Sequence, residues 1–154
     1  MTHDRSLSDP LLDPPLPPGF RDHVLEADWT FGAPRDVVWG WLNDPRTFTR
    51  GQLPPFRVEF LPLADGRPGG VIGEVREPEY RDLLYGYGSY AVSMRLARPR
   101  RLQFWFEDAG EGRTRLRMRL DTQVRSWFAP RWGATNRFFW WNFGLSARIV
   151  LALR

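Results

Sequence analysis

LQFWFEDAGEGRTRLRMRLDTQV, residues 102–124, is the stretch whose reading decides the fold. Leu102, Phe104 and Phe106 alternate with Gln103, Trp105 and Glu107. Beyond the glycine-bearing loop DAGEG, Leu116, Met118 and Leu120 alternate with Arg115, Arg117 and Arg119. Successive side chains of a strand point to opposite faces, so each run has one apolar and one polar side. The pattern predicts an antiparallel hairpin. Pairing Glu107 with Arg113, Trp105 with Arg115 and Gln103 with Arg117 puts both apolar sets on one face, whereas a slip of one residue would scatter them. In that register Arg115 lies beside the Trp105 ring.

An apolar sheet face needs a cover. Downstream, about Trp132 to Leu153 predicts a long helix with Pro130 near its start. On its wheel Arg137 and Arg148 share one narrow line, with Phe139, Phe143, Ile149 and Val150 opposite and Asn142 near the edge. Arg137, Asn142 and Arg148 are spread along it, which makes it a poor transmembrane span.

Upstream, His23 to Thr30 predicts a strand with Leu25, Ala27 and Trp29 on one side. Pro34 suits the first turn of a following helix and Asp36 its positive end. Val37, Val38, Trp41 and Leu42 form its apolar stripe. Asn43-Asp44-Pro45 stops it, and a second short helix is expected from Pro45. Phe56, Val58 and Phe60 alternate as in a strand, and ADGRPGG is a turn. Further strands are expected over Val71–Glu77, Leu83–Tyr87 and Tyr90–Leu96. The fold class is therefore α+β: a curved antiparallel sheet of about seven strands around a long C-terminal helix, with two short helices after the first strand. Residues 1–19, rich in Pro and Asp, are expected to be a disordered tail, and residues 20–154 a single domain.

The absence of cysteine excludes disulfides and thiolate metal sites, and with two histidines, His3 and His23, a histidine zinc cluster is not expected. Residues 1–20 lack the apolar core of a signal peptide, so the expected location is cytoplasmic. All 22 cationic side chains are arginine. Residues 1–90 carry 9 of them against 14 acids, and residues 91–154 carry 13 against 4. This asymmetry raises nucleic acid or an anionic surface as partners for the arginine row. The simpler reading is that a half-buried strand must turn something polar to water. Nucleic acid is the lesser expectation.

The early segment DWTFGAPRDVVWGWLNDPRTF, with its A-P-x-x-V-W core, and the later strand PRRLQFWFED resemble the START-like, or SRPBCC, superfamily. That superfamily includes START lipid carriers, polyketide cyclases and aromatases. The resemblance covers about Arg21 to Arg154. It implies a helix-grip fold with an internal cavity for a hydrophobic or aromatic small molecule, such as a lipid or polyketide-like compound. It carries over no catalytic residue and no cofactor.

The side chains expected to line the cavity are Trp41, Tyr85, Tyr90, Phe104, Met118, Leu120, Phe139 and Phe143. Aromatics pack cores as readily as they line apolar sites. Glu74 and Asn142 are candidate polar anchors. No Ser-His-Asp set or metal site is visible. Binding without catalysis is the first reading. A cyclase, aromatase or hydrolase would need Glu74 to meet a tyrosine.

Overall fold

A computed structural model of the chain describes residues 16–44, 73–84 and 96–153, the side chains of 73–75 and 82–84 excepted. The order is β1 (Phe20–Phe31), α1 (Arg35–Asn43), β2 (Gly73–Glu77), β3 (Tyr80–Leu84), β4 (Ala97–Asp108), β5 (Thr114–Arg125) and α2 (Ala129–Ala152). The strands form one antiparallel sheet in the order β1-β5-β4-β3-β2. Five strands rather than about seven are present among the described residues. The helix expected from Pro45, the strand expected at 56–60 and residues 90–95 of the strand expected over Tyr90–Leu96 lie outside the described residues, and Leu96 is in a turn. β3 begins at Tyr80 rather than Leu83, because Pro78-Glu79 makes a tight turn straight out of β2.

The decisive hairpin forms with the expected faces and a register two residues away from the expected one. Glu107 pairs with Arg115, Trp105 with Arg117 and Gln103 with Arg119. The loop explains the shift. Gly110 and Gly112 have φ of 114° and 62°, left-handed conformations that favour glycine, so the turn centres on Glu111 and takes Arg113 into the loop. Backbone bonds from Ala109 N–H to Arg113 O and from Arg113 N–H to Gly110 O close it, at 3.1 and 3.2 Å. A shift of two keeps parity, so every side chain stays on its expected face.

β4 runs through Pro99. The register slips between Pro99 and Arg101, which leaves Arg100 bulged directly after a residue that has no backbone N–H to give. Beyond it the alternation fails, and Thr122, Gln123 and Val124 are all buried.

Both helices pack on the apolar face. The core joins Leu102, Phe104 and Phe106 of β4 with Leu116, Met118 and Leu120 of β5, Trp41 of α1 and Phe143 of α2. α1 starts after Pro34, which holds the extended conformation its ring permits, and carries Asp36 in its first turn. Thr114 Oγ1 donates to the carbonyl of Ala33 at 2.7 Å, and Arg81 Nη1 to that of Leu42 at 2.9 Å, which tie both ends of α1 to the sheet. α2 begins one turn earlier than expected, with Pro130 inside its first turn. Ile149, expected on the buried side, is 47% exposed, while Trp140, Gly144 and Ala147 are buried. The buried arc of α2 is rotated toward Arg137 and Arg148, because those arginines border β1 rather than open water.

Candidate functional site

Among the described residues β1 is the last strand at one side of the sheet, and α2 crosses beside it. Between them lies a groove of about 390 Å³. Its apolar lining comes from Leu25, Ala27 and Trp29 of β1 and from Trp140, Trp141 and Leu145 of α2. Glu26 and Asp28 stand on the strand side of its rim, Arg137 and Arg148 on the helix side.

The floor is an aromatic cluster. Trp29 lies 6.1 Å from Trp140 and 5.4 Å from Phe143, centroid to centroid. Behind it, Trp140 meets Phe104 edge-on at 6.1 Å, and Phe143 lies 5.3 Å from Trp41. Such tilted and edge-on arrangements suit the ring quadrupoles. Gly144 makes the close approach possible, since a Cβ there would overlap the Trp29 indole. A glycine inside a helix costs roughly 1 kcal/mol relative to alanine, and here it admits a tryptophan ring against the helix backbone. The indole Nε1 of Trp140 is buried and has no hydrogen-bond partner among the described residues.

The sequence-predicted lining residues divide into three groups. Trp41, Phe104, Met118, Leu120 and Phe143 are buried together in the core behind the groove. Phe139 is partly buried and packs edge-on against Trp140 at 5.1 Å. Tyr85 and Tyr90 lie outside the described residues. Of the two polar anchors, Asn142 is buried, 7% exposed, and is not among the groove's lining. Glu74 sits on β2, at the opposite end of the sheet from β1. Four strand spacings separate them, roughly 19 Å.

Sequence reasoning missed Trp29, Trp140 and Gly144 as groove residues. The available signals were the mid-helix glycine and the Arg137–Arg148 line, which borders the groove.

The arginine row is a charge-paired surface. Arg115 bonds Asp28 of β1 at 2.9 Å, Arg117 bonds Glu107 at 2.8 Å, and Arg119 bonds Asp121 at 3.1 and 3.2 Å. Arg117, not Arg115, lies over the Trp105 ring, 5.5 Å from its centroid, as the shifted register requires. Each arginine in this row faces a carboxylate, so the face offers little uncompensated charge to a phosphate backbone.

Burial lowers the pKa of His23 below its ordinary value, helped by the charges of Arg21 and Arg137. Among the described residues no group of three His, Cys, Asp or Glu side chains could hold a metal ion. No helix among them is long and apolar enough to cross a membrane.

No family model matches the sequence, and no curated protein matches it. Among solved structures, norcoclaurine synthase from Thalictrum flavum in complex with dopamine and hydroxybenzaldehyde is similar at 10% identity, over 71% of this chain and 74% of that one, with a TM-score of 0.38. A point mutant of the same synthase with a transition-state analogue gives 14% identity over 71% and 80% of the two chains, with a TM-score of 0.39. A further structure of that synthase gives 10% identity over 83% and 82%, with a TM-score of 0.38. TM-scores this low carry no argument about function.

Proposed function

We propose that the protein binds a hydrophobic or aromatic small molecule between its sheet and α2, seated in the β1–α2 groove. The observation that supports this reading is the groove itself, lined by Leu25, Ala27 and the half-buried Trp29 of β1 and by Trp141 and Leu145 of α2, with Arg137 and Arg148 on the helix side. Apolar sites with a few placed polar groups are the usual form of small-molecule pockets. A flat apolar ligand would stack on the floor, and its polar end would be oriented by the rim. In this reading Trp41, Phe104, Met118, Leu120, Phe139 and Phe143 form the wall behind the floor. Tyr85 and Tyr90 are further candidate contacts, and Glu74 and Asn142 further candidate anchors.

The test is titration of the full chain with anilinonaphthalene sulfonate, alongside native mass spectrometry of freshly purified protein. Saturable binding of the dye is expected, and Ala27→Phe, which fills the groove from the strand side, should weaken it at least about tenfold. The absence of saturable binding, or binding untouched by Ala27→Phe, would remove the reading.

A further inference from the structure

The outward face of a helix that packs on a sheet is ordinarily polar. On α2 it is not. Phe138, Trp141, Leu145 and Ile149 follow one another at helical spacing and are 53%, 61%, 38% and 47% exposed. They span roughly 16 Å of the helix at its rise of about 1.5 Å per residue. Phe138 and Trp141 stack on each other at 5.8 Å, which makes a continuous aromatic surface at one end of the stripe. A contiguous exposed apolar patch with a polar border marks an interaction surface.

Charge identifies the partner. From Ser126 to Arg154 there are four arginines and no acidic residue. Arg137 and Arg148 are exposed and border the stripe on the side of Trp141, and Arg131 is exposed near its N-terminal end. Unlike Arg115, Arg117 and Arg119, these three have no carboxylate partner among the described residues. A second copy of the chain laid antiparallel on this stripe would bring arginine against arginine. An anionic bilayer would supply the missing negative charge and an apolar layer for the rings. A helix with aromatic and aliphatic side chains on one face, arginines at its border and too little hydropathy to span is suited to lie in the interfacial plane.

We propose that the Phe138–Ile149 stripe of α2 docks on an anionic lipid surface, its apolar side chains entering the headgroup boundary while Arg137 and Arg148 meet lipid phosphates. Trp141 and Leu145 also line the β1–α2 groove, so docking in this way brings the groove's mouth to the bilayer. The proposal does not depend on the groove being a ligand site.

Sedimentation of the full chain with vesicles tests it, comparing mixed phosphatidylcholine–phosphatidylserine vesicles with phosphatidylcholine alone. Binding to the mixed vesicles is expected, falling as salt rises and weak to phosphatidylcholine. Phe138→Glu and Ile149→Glu lie outside the groove lining. Each should cut vesicle binding at least about tenfold while leaving melting temperature and dye binding in the groove unchanged. Three results would overturn the proposal: no binding to the mixed vesicles at low salt; binding that survives both variants, which would assign it to another face; or self-association abolished by the variants with no vesicle binding, which would give the stripe to a second copy.

Discussion

Met118 and Arg117 are neighbours in sequence and opposites in environment. Met118 is 2% exposed within the core, whereas Arg117 lies over Trp105 and bonds Glu107. Met118→Asp buries an unpaired charge and should cost more than about 4 kcal/mol in urea unfolding, enough to unfold a marginal domain. Arg117→Glu exchanges only exposed partners and should cost less than about 1 kcal/mol. Gly144→Ala gains about 1 kcal/mol of helix propensity, and forcing the Trp29 indole aside loses about 1–3. The net expectation is a loss of about 1 kcal/mol, read from the same unfolding curves, together with weakened dye binding as the floor shifts. His23 gives a pH dependence. Its folded pKa lies below the unfolded value, so above about pH 6.5 neither state is charged and the group is silent. As pH falls below that, the unfolded state takes up the proton first and stability is lost. The melting temperature of the wild type should therefore drop more steeply than that of His23→Gln below about pH 6.5, and parallel profiles would show that His23 is not the group responsible.

At the scale of the element, the hairpin shows which information alternation carries. Period two fixes the face of each side chain but not the pairing, since a shift of two leaves all faces unchanged. The pairing came from the left-handed glycines, Gly110 and Gly112, whose positions centre the turn on Glu111. The pair that results, Arg117 with Glu107, is half exposed. A double-mutant cycle on it should return only about 0.2–1 kcal/mol. For α2, the sequence pattern was legible as a long helix, but its hydrophobic residues surround most of the circumference. Nearly uniform apolarity cannot say which arc is buried, which is why Ile149 was assigned inward and Trp140 and Gly144 were passed over. The rotation is set by tertiary contact, by Trp29 seating on the flat side that Gly144 provides.

At the scale of the whole molecule, strand, helix, meander and terminal helix were readable because each has a distinct period or a breaker. The order found among the described residues follows the order read from the sequence, with one of the two short helices and five of about seven strands within them. The groove was less legible because it is built from residues distant in sequence, Leu25 to Trp29 against Trp140 to Arg148, and no local pattern announces a crossing of strand edge and helix. The account rests on one geometric claim: the apolar side of β4 and β5 faces α2, and α2 turns Trp140 and Phe143 inward while the Phe138–Ile149 stripe faces out. The chain has no cysteine, so single cysteines report exposure without background. The most direct test is the rate at which an aqueous disulfide reagent modifies Arg115→Cys, Leu116→Cys, Arg117→Cys and Met118→Cys on β5, and Phe138→Cys, Phe143→Cys, Leu145→Cys and Ala147→Cys on α2. Fast modification is predicted at 115, 117, 138 and 145, and strong protection at 116, 118, 143 and 147. Protection at 115 and 117 with rapid reaction at 116 and 118, or equal rates around α2, would contradict the account.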